Sequence, residues 1–506
     1  MTDSVYQIIA LTIYMAAMLF IGWYSFKKTA NLTDYMLGGR GLGAAVGALS
    51  AGAADMSGWL LMGLPGAIYV SGLVEAWIAI GLTIGAYLNW FFVAPRLRVY
   101  SFITKDSITI PSFLENRLKD TSRLLRVVSG IIILVFFTFY VSSGMVAGGV
   151  FFVSSFGLDY HLGLVIVSGV VVAYTLFGGF LAVSYTDFVQ GLMMFLALIA
   201  VPVIGIFVTG GFSETAASIR EVDPALLNFT TGASLVGVIS AVAWGLGYFG
   251  QPHIIVRFMA ISTLKEVRQA RRIGISWMIL SLGGAVATAL VGLAYFQQNP
   301  GATLEDPEGV FIVLGQIFFH PLIAGFMLAA VLAAIMSTIS SQLIVTSSAL
   351  VEDLYKIAFK KASTDKQYVT LGRLAVLVIS LIAAALAWEQ NATILDLVAY
   401  AWAGFGAAFG PLILLSLFWR KLTTWGALAG MVVGAATVII WDSIGTVATD
   451  AGATATTNFI GSVYEIIPGF FLCLIVTVVV SLVTYKPNKE ITAEFDETER
   501  LIKEKA

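Results

Sequence analysis

The chain has 506 residues, of which 58% are apolar and only 11% charged, with a net charge of −2 at neutral pH. An ordinary soluble domain is about 25% charged, so composition excludes a water-soluble globule, and the lack of a basic excess excludes nucleic acid as a partner. One cysteine, Cys473, and three scattered histidines (His161, His253 and His320) exclude an intramolecular disulfide and leave no thiol pair or histidine spacing for a metal.

Apolar windows of about twenty residues predict an all-α integral membrane protein with about thirteen transmembrane helices. In chain order they cover 5–26, 42–70, 72–94, 127–155, 161–180, 187–210, 232–256, 273–297, 311–350, 370–388, 394–418, 424–444 and 463–484. The first carries Asp3 instead of basic residues and runs to Phe26, too long for the core of a cleavable signal, so it reads as a retained span. The second and ninth are too long for one straight crossing and predict kinks or extensions beyond the bilayer.

The second span holds Gly52-Ala53-Ala54-Asp55-Met56-Ser57-Gly58-Trp59, followed by Gly63, Pro65 and Gly66. An aspartate in mid-membrane costs about 2.5–3.5 kcal/mol on insertion scales, which makes Asp55 a functional candidate. An aspartate that only hydrogen-bonds a neighbouring helix is the competing reading. Glycine and proline at this density weaken the helix, and Ser57 can offer its hydroxyl to freed backbone groups. After the third span, Pro111 to Val127 sets Leu114, Leu118, Leu124 and Leu125 among charges and predicts a short helix on the membrane surface.

The seventh span repeats the interruption in Trp244-Gly245-Leu246-Gly247-Tyr248-Phe249-Gly250-Gln251-Pro252. Two glycine-broken spans, five apart in helix order, point to a transporter of inverted repeats whose half-helix ends meet near the midplane. Amides exposed there favour a carboxylate, and exposed carbonyls favour a cation. The same stretch matches G-x-G-x-x-G, but that dinucleotide pattern needs a preceding strand, and here it lies inside an apolar span.

In the ninth span, Ala334, Ser337, Thr338 and Ser341 share one helix face by their spacing. Two adjacent hydroxyls and a carbonyl one turn earlier are hard oxygen donors of the kind an alkali cation needs. Hydroxyls bonded to their own backbone in tight helix packing are the alternative. Free carbonyls at residues 53 and 56 of a broken second span favour the cation. Towards the C-terminus come a polar Ala/Thr stretch between Val447 and Asn458 and a charged tail from Lys486.

Of the 28 Lys and Arg residues, 27 fall in alternate loops, including Arg96 to Arg126 and Arg257 to Arg272, and only Arg220 lies opposite. The positive-inside rule then puts the N-terminus outside and the C-terminus in the cytoplasm. The basic loops read mainly as topology determinants and solvated faces.

The segments Leu49–Leu64, Trp244–Phe258, Ala333–Tyr355 and Tyr400–Pro411 resemble the bacterial sodium/proline symporters of the sodium/solute symporter family, and the likeness extends over nearly the whole chain. The resemblance implies a leucine-transporter-like core of two inverted five-helix repeats, 41–211 (helices 2–6) and 212–420 (helices 7–11). Around it would lie peripheral helix 1 with its loop (1–40), helices 12 and 13 (421–485) and a cytoplasmic tail (486–506). It also implies sodium-coupled import of L-proline by alternating access across the bacterial inner (plasma) membrane. No organic cofactor, obligate protein partner or enzyme activity is expected.

By motif position, the sodium ion would lie between helices 2 and 9, on the carbonyls of Ala53, Met56 and Ala334 and the hydroxyls of Ser337 and Thr338, with Asp55 a nearby counter-charge. The resemblance assigns Ser57, Gly58 and Trp59 to the substrate, with Tyr140, Trp244, Tyr248 and Pro252 around its ring and secondary ammonium. Ser341 stands on the substrate side where the compared symporter has a cysteine. Arg40, Asp187, Glu308 and Arg373 match family positions at helix ends, as gating or ion-pair residues, although plain loop salt bridges explain them too. A sodium-coupled carrier of another amino acid, a sugar or a carboxylate is the alternative. A channel is disfavoured by the lack of charged rings or a filter-like loop, a sensor by the short tail, and an enzyme by the lack of a nucleophile–base pair.

Overall fold

A computed structural model describes residues 3–26, 32–358, 364–390, 392–450 and 461–504. Every regular element among these residues is helical, and the only β contact is an isolated parallel bridge between Leu42 and Ile261. Hydrocarbon offers backbone groups no partners, so a spanning segment must satisfy its own amides, which a helix does. Ten helices among the described residues are long and apolar enough to cross a membrane. Three shorter apolar helices, Tyr160–Leu176, Leu235–Phe249 and Pro307–Phe318, accompany them.

The helices that matter below are α1 (Asp3–Phe26), α2 (Ala44–Asp55), α3 (Leu64–Ser71), α4 (Leu124–Phe156), α5 (Tyr160–Val208), α6 (Leu235–Ala243), α7 (Pro252–Ala260), α8 (Pro321–Ser348), α9 (Ile394–Phe418) and α10 (Lys489–Glu504). The second predicted span is α2 and α3 with a break between them. The seventh is α6 and α7 with another.

Several predicted boundaries move. The loop expected between the fifth and sixth spans is absent: α5 runs 49 residues and bends at Gly179, whose φ of 61° and ψ of −158° leave the helical region. Glycine adopts that conformation without a Cβ penalty. The long ninth window divides where Val310–Phe318 stops and α8 starts at Pro321, and a π turn over Ala349–Tyr355 prolongs it. The predicted surface helix is only Ile110–Leu118. It opens on a capping box at Thr109 and ends at a left-handed Lys119, while Leu124 and Leu125 already begin α4.

The tail folds into α10, whose Phe495 is buried beneath the guanidinium groups of Arg117 and Arg420. Lys119 bridges Glu490 and Glu494 at 2.8 and 2.5 Å. Much of the Ala/Thr stretch of 447–458, and Lys27, Lys28, Lys360, Lys361 and Lys505 of the basic loops, lie outside the described residues.

Candidate functional site

The first break is a backbone event. Helix α2 ends at Asp55, and Met56 (φ −78°, ψ 81°) turns out of it. A continuing helix would aim the Ser57 amide at the Ala53 carbonyl, but that amide donates to the Asp55 carbonyl at 3.0 Å. The Ala53 oxygen is therefore released inside a buried environment. Ser337 Oγ donates to it at 2.7 Å and Thr338 Oγ1 at 3.4 Å, and the same hydroxyls reach the Ala334 carbonyl at 3.1 and 3.3 Å. Four of the five oxygens expected to hold a cation thus converge between α2 and α8. Met56 is buried beside them, and its carbonyl makes no hydrogen bond with those hydroxyls.

Gly58 lets the chain pass α4 and α8 closely: a Cβ there would sit 2.9 Å from the Ala147 Cβ and 3.2 Å from Ile335. Past it, Trp59 donates its indole N–H to the Asp55 carbonyl at 3.1 Å, and Ser57 Oγ accepts from the Trp59 amide at 3.4 Å. The Asp55 side chain, 2% exposed, accepts from the Tyr248 hydroxyl. That bond joins the first break to the second.

The second break, between α6 and α7, is a 3-10 turn over Trp244–Phe249, followed by extended Gln251. Pro252 at the start of α7 has no N–H for the Tyr248 carbonyl, and Asn89 Nδ2 supplies the missing donor at 2.9 Å. Trp402 Nε1 donates to the Trp244 carbonyl at 2.8 Å, and Gln251 donates to the Trp402 carbonyl at 3.0 Å. Aromatic rings close around this turn. Trp244 stacks on Tyr464 at 5.3 Å, Tyr248 meets Trp402 edge-on at 5.1 Å, and Tyr140 meets His253 edge-on at 5.8 Å. The predicted Tyr140, Trp244, Tyr248 and Pro252 are all buried around it.

One turn below the first oxygen cluster lies a second polar cluster. Arg257 Nη2 and Asp187 Oδ2 pair at 3.1 Å, both side chains fully buried. Ser50 donates to Asp187 at 2.7 Å, and Arg257 donates to Ser341 at 2.5 Å. This places Ser341 with Asp187 and Arg257, away from the aromatic turn. It also corrects two sequence readings. Asp187 is not at a helix end, because α5 continues through it, and Arg257 is not in a solvated loop, because α7 carries it into the interior. Asp55 is accordingly not the only deeply buried carboxylate.

The other predicted ion-pair residues tie helix ends together. Arg40 pairs with Asp106 at 2.7 Å and donates to the Met259 and Ser107 carbonyls at 2.8 and 2.6 Å. Arg373 donates to the Leu176 carbonyl at 3.0 Å. Glu308 accepts from the Ile394 amide at 3.1 Å, and burial, with Asp306 nearby, pushes its carboxyl up to about 7. Glu308 lines a cavity of about 790 Å³ with Gly66, Glu75, Asp306 and Asp396, beside α3.

Sequence reasoning missed Trp402, Tyr464, Asn89 and Arg257. Trp402 lies in a segment that carried the resemblance, but a tryptophan in an apolar span has no local mark that separates wall from packing.

This is the architecture of a membrane carrier with two interrupted helices crossing at its centre. The pattern described as the sodium:solute symporter family matches residues 35–434. The chain belongs to that family. It is 63% identical over 480 residues to a high-affinity proline transporter, PutP, of Bacillus subtilis (strain 168), covering 95% of this chain and 98% of that one. It is 56% identical over 502 residues to the osmoregulated proline transporter OpuE of the same organism, with 99% and 100% covered. It is 52% identical over 501 residues to a sodium/proline symporter of Staphylococcus aureus (strain NCTC 8325 / PS 47), with 98% and 96% covered. Among solved structures, an outward-open Na+-coupled sialic acid symporter matches with a TM-score of 0.79 at 21% identity, over 96% of this chain and 99% of that one. The nucleobase-cation-symport-1 family transporter MHP1 matches at 0.52 and 13% identity, over 92% and 99%. These neighbours share the leucine-transporter-like fold.

Proposed function

We propose that the chain is a sodium-coupled symporter that imports L-proline by alternating access. The observation that carries the sodium half is the Ala53 carbonyl, released at the end of α2 and met by the hydroxyls of Ser337 and Thr338. The proline half rests on proline transport by relatives 52–63% identical over nearly the whole chain. In this reading the carbonyls of Ala53, Met56 and Ala334 and the two hydroxyls hold the ion, with Asp55 a counter-charge beside it. The hydroxyl protons swing aside so that both oxygens face sodium. Ser57, Gly58 and Trp59 hold the substrate from the first break, while Tyr140, Trp244, Tyr248 and Pro252 enclose its ring.

The arrangement follows two inverted repeats, 41–211 and 212–420, flanked by helix 1, helices 12 and 13 and the cytoplasmic tail, thirteen spans in all. The N-terminus lies outside a bacterial inner membrane and the C-terminus inside. Sodium enters from outside and joins α2 to α8, which pre-forms the proline pocket; each ligand stabilises the conformation the other requires.

The driving force is sufficient. One positive charge moving down 100 mV releases about 2.3 kcal/mol, and a tenfold sodium gradient adds about 1.4 kcal/mol. Proline is net-neutral at pH 7 and adds no electrical cost. One sodium per proline then sustains accumulation on the order of several hundredfold.

Proteoliposome uptake of labelled proline under an imposed sodium gradient, set against a proton gradient, tests the coupling. Unlabelled amino acids, sugars and carboxylates as competitors test the cargo. The Ser337→Ala/Thr338→Ala variant is expected to raise the sodium concentration for half-maximal uptake far more than the proline concentration. Equal, mild changes in both would mean that the hydroxyls only pack α8 against α2.

A further inference from the structure

We propose that the C-terminal helix α10 is a salt-sensitive latch: docked, it holds the end of α9 and slows transport, and rising ionic strength inside the cell releases it. The inference goes beyond the proline reading but uses its topology, with the tail in the cytoplasm.

Helix α10 carries six acidic and three basic residues among its 16 and buries only Phe495 and Thr498. Isolated helices of about this length are marginally stable in water, so the tail folds as it docks. Phe495 is the one apolar anchor. The Tyr100 ring meets it edge-on at 6.2 Å, and the guanidinium groups of Arg117 and Arg420 lie 5.7 and 5.0 Å from its centre. Charge does the rest. Lys119 takes Glu490 and Glu494, Arg420 takes Asp496 at 2.6 Å and Glu499 at 3.7 Å, and Arg96 reaches Glu499 at 3.8 Å. Arg420 and Asp496 are each about half exposed. Such pairs weaken as the screening length falls from about 10 Å at 0.1 M salt to about 3 Å at 1 M.

The basic partners come from three places: the helix Ala94–Ile103, the end of the Ile110–Leu118 helix, and the residues just past α9. Two of the arginines beneath the tail also grip α9 itself. Buried Arg117 donates to the Ser416 carbonyl at 3.0 Å, and Arg96 donates to the Leu417 carbonyl at 3.1 Å. Pro411 interrupts α9 just before this grip, and a proline inside a helix removes one ladder bond and marks a bend. Nearer its middle the same helix carries Trp402, which holds the Trp244 carbonyl of the second break. A tail that docks on one arrangement of these elements favours that arrangement by its docking free energy. The latch therefore acts on the helix that backs the second break, without touching the break.

Uptake of labelled proline is measured in uniformly oriented proteoliposomes at a fixed sodium gradient, with about 0.1 M or about 1 M choline chloride inside and sucrose balancing the outside. The wild-type maximal rate is expected to rise about threefold with inner salt, the scale of one or two exposed ion pairs, while the half-saturating proline and sodium concentrations move less than about twofold. Deleting residues 489–506 should give the high rate at both salts. Lys119→Glu should do the same, and Lys119→Glu/Glu494→Lys should restore the slow, salt-responsive form, a rescue that lost packing alone does not produce. Amide hydrogen exchange over 489–504 should be slow at low salt and fast at high salt. An unchanged or lower rate in both the deletion and Lys119→Glu, or a tail that stays protected at high salt, would overturn the inference. If the deletion does not assemble, the charge-swap pair decides. A wild-type protein without sodium-driven proline uptake would defeat the proline reading instead, and hydrogen exchange would still report the latch.

Discussion

The two helix breaks are the same device put to different use. Each stops a helix in mid-membrane and releases backbone carbonyls, but the carbonyls meet different partners. At the first, the Ala53 oxygen is met only by the small hydroxyls of Ser337 and Thr338, which can turn and admit an ion. At the second, Asn89 and Trp402 occupy the Tyr248 and Trp244 carbonyls with fixed N–H donors that have no acceptor role at that atom. One break leaves its carbonyl facing two hydroxyls, where the proposed cation would bind, and the other is closed by fixed donors and aromatic rings. A glycine-broken helix alone therefore does not define an ion site. Its neighbours decide.

The sharpest way to break this contrast is to fill each turn. A Cβ on Gly250 would overlap the Phe405 carbonyl, which is backbone and cannot move aside, whereas one on Gly58 meets the side chains of Ala147 and Ile335. Gly250→Ala is expected to abolish uptake and greatly reduce folded protein. Gly58→Ala should fold, at a cost of about 1–3 kcal/mol typical of overpacking. Thermal unfolding and membrane yield of the two variants check the order, and the reverse order would mean that the second turn is not the rigid one.

A smaller and more selective effect is expected from Asn89→Ala, which leaves the Tyr248 carbonyl unpaired. The loss should be about 1–3 kcal/mol of stability, with the proline requirement raised and the sodium requirement little changed. Sodium titration of uptake beside Ser337→Ala gives the test: if Asn89→Ala shifts sodium as strongly as Ser337→Ala, the division between the breaks fails.

The smallest effect belongs to the far half of the first broken helix, where Gly66 of α3 lies against the Glu308 backbone. The Glu308 carboxyl is raised from 4.5 to about 7, chiefly by burial. A raised acid favours the protonated folded form, so its stabilising contribution is complete below pH 4.5 and lost as pH rises through about 7. The melting temperature should fall slightly between these limits, and Glu308→Gln should remove that part of the slope.

Much of this was legible in the chain. Asp55 among glycines, and hydroxyls at 337 and 338 on one face with Ala334, each carry a local mark: an expensive residue, or a helical spacing. The break at Asp55 was legible too, from glycine and proline density. Arg257 shows the limit. Its neighbours Lys265 to Arg272 made it look like part of a basic loop, yet it is paired with Asp187 seventy residues away in sequence. The same holds for Ser341, which shares a helix face with Ser337 but turns to a guanidinium. The packing of Trp402 and Tyr464 around the second break was not legible, because nothing local distinguishes them from lipid-belt aromatics.

The sequence by itself determined that the protein lives in a bilayer and where two of its helices must break, because hydrophobic length and helix propensity are local properties of the chain. Only the tertiary structure decided which freed carbonyl is sealed and which stays available, and which buried charge finds a partner. Those outcomes depend on side chains from helices far apart in sequence meeting within about 3 Å, the reach of a hydrogen bond.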